Sequence, residues 1–97
     1  MGPLAKKYIH DILGELEKLA EWYEKKYNKP LHVKTFATED RWNVQLEFEV
    51  PDGRKFSSGT YIHASRMEDF VYLVRLKTTI LKTYQEEIDK KWQRFRN

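Results

Sequence analysis

From Trp42 to Val50 apolar and polar residues alternate without a break, Trp42, Val44, Leu46, Phe48 and Val50 against Asn43, Gln45, Glu47 and Glu49. A period of two over this length is a β-strand with one dry face and one wet face. A fold for this chain must therefore cover one side of a sheet and leave the other to water or to a partner. Pro51-Asp52-Gly53 follows at once. Proline presets its own φ, aspartate bonds the local backbone and glycine accepts positive φ, so the strand turns back on itself.

A helix-periodic segment flanks the β region on each side. In the first, Ile9, Ile12, Leu13, Leu16, Leu19, Ala20, Tyr23 and Tyr27 recur at three- and four-residue steps, with Leu4, Tyr8 and Trp22 at the stripe's edge. This predicts helix 1 over about 3–28. Pro3 suits its first turn. Asn28, which tolerates the left-handed conformation, and Pro30 close it. Strands are expected over about 31–38, 41–50 and 55–63, Gly59 marking a bulge in the last. Ser65-Arg66-Met67-Glu68 has the form of a capping box and predicts helix 2 over about 66–95. Its first half is apolar over a wide arc, Met67, Phe70, Val71, Leu73, Val74, Leu76, Ile80 and Leu81, which implies burial on more than one side. Its second half narrows to Tyr84, Ile88, Trp92 and Phe95.

The expected architecture is α+β in α-β-β-β-α order, one domain over 1–97: a two-layer sandwich of a three-stranded antiparallel meander with two long helices on one face. A helix of about 29 residues is roughly 44 Å long and a ten-residue strand spans about 33 Å. The C-terminal turns of helix 2 are therefore expected to overhang the sheet and to require another surface.

The chain has 97 residues, no cysteine and a formal net charge of +3. The absence of cysteine excludes disulfides, thiolate metal sites and cysteine nucleophiles, and fits a cytoplasmic protein. No apolar run approaches the length of a membrane span, and no signal-peptide core is present. His10, His32 and His63 lack the spacing of a helix-borne metal pair, so no metal or other cofactor is expected. With no nucleophile elbow, glycine-rich phosphate loop or paired-carboxylate signature, the expectation is a protein that is not an enzyme.

Two surfaces are candidates for partner binding. The first is the C-terminal half of helix 2, with Tyr84, Ile88, Lys91, Trp92, Arg94 and Phe95. The second is the wet face of the sheet, where Phe36 and Tyr61 offer two rings among His32, Lys34, Thr38, Asn43, Gln45, Glu47, Glu49, Lys55, Ser57 and His63. An alternative reading is nucleic-acid binding through Lys82, Lys90, Lys91, Arg94 and Arg96. Glu47 and Glu49 oppose a phosphate backbone on the sheet itself. A third reading is a homodimer joined through the C-terminal half of helix 2. A designed origin is a further alternative, against which Gly14 in mid-helix and the irregular third strand stand.

The α-β-β-β-α order is similar to that of double-stranded-RNA-binding domains. That family carries a lysine-rich cluster at the start of its last helix. Here Ser65-Arg66-Met67-Glu68-Asp69 holds one cation and two acids, and both helices are longer. The likeness is one of element order alone. Similar orders also occur among small phage-encoded inhibitors, some of which block CRISPR nucleases. Together these features lead to the expectation of a small non-enzymatic protein that binds a protein partner. Its expected setting is that of a phage or mobile-element accessory protein or inhibitor, such as one directed at a host defence nuclease.

Overall fold

The computed structural model describes residues 3–51 and 53–94, with side chains from residue 5 onward. The elements are α1 (Pro3–Tyr27), β1 (Leu31–Ala37), β2 (Arg41–Glu49), β3 (Lys55–His63) and α2 (Phe70–Arg94), with a single 3-10 turn at Ala64–Arg66 before α2. The strands form an antiparallel meander in the order β1-β2-β3, so β2 is central and β1 and β3 are edges. The fold is α+β, two helices on an open three-stranded sheet.

The alternation along β2 sets the layers. Trp42, Val44, Leu46, Phe48 and Val50 are all buried. Their neighbours in register are Leu31, Val33, Thr35 and Ala37 on β1 and Phe56, Ser58, Thr60 and Ile62 on β3. Over this face lie Ala5, Tyr8, Ile9, Ile12, Leu16, Leu19 and Tyr23 of α1 and Leu73, Ile80, Tyr84 and Ile88 of α2. Burial of each large apolar side chain contributes on the order of 2 kcal/mol, and these side chains form one continuous core.

The chain reverses direction at every connection, which makes the two helices parallel. Tyr8 meets Phe70 edge-on at 5.8 Å, Asp11 pairs with Lys77 at 3.1 Å, and Tyr27 stacks on Trp92 at 4.0 Å. Start therefore faces start and end faces end. Asn28 closes α1 with φ 55° and donates its N–H to the Glu24 carbonyl at 2.9 Å. At the β2–β3 turn Gly53 takes φ 88° and donates to the Val50 carbonyl at 3.0 Å. Asp52, the aspartate of that turn, lies outside the described residues.

Three expectations are corrected. First, α2 starts at Phe70 rather than at Ser65. The Asp69 carboxylate accepts the Tyr72 N–H at 3.1 Å and is the N-cap, while Ser65 lies in the 3-10 turn, where its N–H donates to His63 Nδ1 at 3.2 Å. Second, Gly59 marks no bulge. The β2–β3 register is unbroken through Gln45↔Gly59, and a Cβ at Gly59 would stand 2.7 Å from the Val44 carbonyl oxygen. Glycine is there for the close approach of two backbones. Third, the overhang is at the other end. The ends of both helices close together over Phe48 and Phe56, and the exposed apolar residues of α2 are Phe70 (55%) and Val71 (64%) in its first turn. The wide apolar arc is thus buried on one side only.

Candidate functional site

The open face of the sheet carries the polar half of each alternating strand. The register aligns Phe36 of β1, Asn43 of β2 and Tyr61 of β3 in one row. Phe36 is 45% exposed and Tyr61 51% exposed. With β2 between them, the two backbones stand about 10 Å apart, and the two rings border a slot floored by Asn43. The Asn43 amide donates to the Phe36 carbonyl at 3.4 Å. The row sits where β1 turns into β2, a turn held by the Thr38 N–H donating to the Arg41 carbonyl at 2.8 Å.

Tyr61 is braced from the side. The Arg41 guanidinium lies 4.4 Å from the centre of its ring, and Asp40 approaches Arg41 Nε at 3.4 Å. Hydrogen bonds from Arg41 and then from Thr38 Oγ1 hold the Asp40 carboxyl below the usual carboxylate range. Such a geometry suits recognition of another surface: two exposed rings, one of them braced by Arg41, a central amide, and a rim of both signs from Lys34, Arg41, Glu39 and Asp40. Further along the same face, His32 is aligned with Glu47 and Ser57, and Glu49 with Lys55.

On the other predicted surface, two of the named side chains belong to the core. Tyr84 is 5% and Ile88 1% exposed, both in the core. Burial, and next the nearby Glu87 carboxylate, push the Tyr84 phenol up to about 12. Trp92 stacks on Tyr27 and donates its indole N–H to the Tyr23 hydroxyl at 3.2 Å. Lys91 lies over the rings of Phe48 and Phe56 at 5.8 and 5.1 Å. These side chains complete the fold. Tyr84 and Ile88 are therefore taken up by the core, and Lys91 and Trp92 are half-buried where the ends of the two parallel helices meet. Arg94 is exposed, and Phe95 lies outside the described residues.

Of the basic residues of α2, Lys90, Lys91 and Arg94 share one side of its last turns and Lys82 stands apart from them. Lys82, Lys90 and Arg94 are exposed, but Lys82 and Lys91 lie on opposite sides of the helix at 100° per residue. Glu86, Glu87 and Asp89 fall between them, Asp89 already holding Lys26 at 2.9 Å. Arg96 lies outside the described residues. The start of α2 is equally occupied. His63 accepts from Ser65, and Arg66 lies 4.6 Å over the Tyr72 ring and 4.0 Å from Asp69. Among the described residues no three histidine or carboxylate groups converge on a metal-sized site, and no helix is long and apolar enough to cross a membrane.

One feature escaped the sequence reading. α1 covers only the start of β1: Leu31 is buried, Val33 half-buried, and Thr35 and Ala37 exposed. The divergence opens a groove of about 860 Å³ along the β1 edge, lined by Leu13, Leu16, Glu17 and Ala20 of α1 and by Leu31, Val33 and Thr35 of β1. It continues over the edge to His32, Lys34, Glu47, Glu49 and Lys55. The signal available in the sequence was the fading apolar character from Leu31 and Val33 to Thr35 and Ala37.

Compared with protein-family models, with curated proteins and with solved structures, the chain matches none.

Proposed function

We propose that this chain is a small non-enzymatic cytoplasmic protein that acts by binding another protein, through the open face of its sheet. One observation carries the reading: Phe36 and Tyr61 are half-exposed in a single row across Asn43, with Tyr61 braced by Arg41. Aromatic side chains are those that anchor protein interfaces, and a ring already braced, as Tyr61 is, loses little entropy on binding. The neutral, mixed-sign rim favours a protein over a phosphate backbone. Within this reading, an accessory or inhibitory role of the phage or mobile-element kind is the narrower proposal, supported by small size and the lack of any catalytic motif.

The test is capture of partners from cell lysate on the tagged chain, with and without nuclease, beside a Phe36→Ser/Tyr61→Ser double variant of unchanged thermal stability. The expected result is a protein retained after nuclease by the parent chain and lost by the double variant. Material that disappears with nuclease assigns the chain to nucleic acid instead. A protein retained equally by both chains removes the open face from the interface.

A further inference from the structure

We infer that the free edge of β1, seven residues long, accepts an extended peptide segment that joins the sheet as a fourth strand, with lysine or arginine on the face turned to α1. This surface is separate from the Phe36–Tyr61 row, although β1 serves both.

The edge is suited to pairing. β1 has seven residues and no proline, it is hydrogen-bonded on one side only, and Lys34 is its one full charge. An unpaired edge offers main-chain donors and acceptors to an added strand. The half-covered side chains of the groove, Leu13 and Ala20 on α1 and Val33 on β1, would be shielded by the side chains such a strand turns towards the helix.

Charge names the occupant. Glu17 lines the groove, and Glu21 and Glu24 continue the same side of α1 at the i+4 and i+7 positions. All three are exposed, and none forms an ion pair among the described residues, whereas Glu15, Asp11 and Asp89 are each paired. Successive same-face residues of a strand are about 6.6 Å apart, and Glu17 and Glu21 are separated by about 6 Å along the helix axis. The spacing of Glu17 and Glu21 is thus close to that of alternate residues on an added strand. Lysine and arginine suit those positions, since their aliphatic stems can lie on Leu13 and Ala20 while the charged heads reach the carboxylates.

A second copy of the chain is a poorer occupant. Joining two β1 edges across a two-fold axis would set one α1 beside the other and bring each acidic row towards its own image.

Selection of a random library of peptides about twelve residues long on the immobilised full chain tests this. Enriched peptides are expected to carry Lys or Arg at every second position. On binding they should shift and protect the β1 amides of isotope-labelled protein from hydrogen exchange. The Glu17→Lys/Glu21→Lys/Glu24→Lys variant, altered only at exposed positions, should bind them about tenfold more weakly and should select acidic peptides in their place. The proposal is overturned if no peptide is enriched, if enriched peptides lack the basic alternation, or if charge reversal leaves binding unchanged. It is also overturned if binding perturbs the Phe36–Tyr61 row and spares the β1 edge, or if sedimentation shows a dimer with protected β1 amides. The Phe36→Ser/Tyr61→Ser variant leaves the Glu17, Glu21 and Glu24 row intact and the triple Lys variant leaves Phe36 and Tyr61 intact, so the two readings are tested by different substitutions.

Discussion

The indole N–H of Trp92 donates to the Tyr23 hydroxyl at 3.2 Å, and that hydroxyl donates to the Glu49 carbonyl at 2.8 Å. One relay thus ties the last turns of α2 to α1 and to the end of β2. Tyr23 is fully buried. Burial first, and the Glu49 charge last, raise its phenol pKa, against the opposing effect of the Trp92 hydrogen bond. The hydroxyl therefore stays protonated and remains a donor at every physiological pH.

Trp92→Ala should consequently destabilise the fold, by about 2–4 kcal/mol, through lost stacking on Tyr27 and a cavity beside Tyr23. Tyr23→Phe leaves the Trp92 N–H and the Glu49 carbonyl without their partner and should cost about 1–3 kcal/mol. Because Tyr23→Phe and Trp92→Phe each break the same relay, the double variant should be less destabilised than the sum of those two single variants, all compared with the parent chain. Urea unfolding of the four proteins measures this. Strict additivity would show that the relay does not operate as a unit.

At the start of α2, Asp69→Ala should cost about 1 kcal/mol, the usual loss of an N-cap side chain. Ser65→Ala and Glu68→Ala should each stay within about 0.5 kcal/mol, as exposed positions outside the helix do. Thermal unfolding of the three variants separates the alternatives, because a large effect at Ser65 would restore the capping box.

The outcome at this cap shows what was legible in the sequence and what was not. The alternation in β2 decides the layers because each of its residues has one face to choose, and no tertiary contact can alter that parity. Phe36 and Tyr61 fell on the wet face by the same parity. Ser65 and Asp69 both precede an apolar run by the spacing of a cap, and only the path of the chain over Met67 decides between them. Likewise a stripe through Tyr84, Ile88 and Trp92 looks the same whether it meets α1 or a partner. Its fate depends on the helices being parallel and ending together. The groove depends on the angle between α1 and β1, for which no single residue is a signal.

Two glycines give opposite predictions from the same substitution. Gly14 sits inside α1 with nothing within 4 Å of an added Cβ, so Gly14→Ala should stabilise by up to about 1 kcal/mol through helix propensity. Gly59→Ala drives its Cβ to 2.7 Å from the Val44 carbonyl oxygen, a backbone atom that cannot step aside without moving β2. A loss of about 1–3 kcal/mol is expected, the range of an overpacked site. Chemical denaturation checks both signs, and loss of β2–β3 amide protection in Gly59→Ala locates the damage.

Tyr84 carries a pH dependence whose sign follows from its environment. Its phenol is raised from the ordinary 10.0 to about 12, by burial first and by Glu87 second. A raised value means that the folded chain holds its proton more tightly than the unfolded chain does. The associated stability is complete below about pH 10, where both states are protonated, and is lost as pH rises from 10 towards 12. The loss should be on the order of 1–2 kcal/mol, given about 1.4 kcal/mol for each pH unit of difference and some access of solvent to the ring edge. Tyr84→Phe keeps the buried ring and removes the proton, so its alkaline unfolding should begin at higher pH than that of the parent chain, with little change at pH 7. Urea midpoints measured from pH 7 to pH 12 test this. Identical alkaline slopes in the two proteins would place the titrating group elsewhere, with Tyr23, raised for the same reason, as the next phenol to substitute.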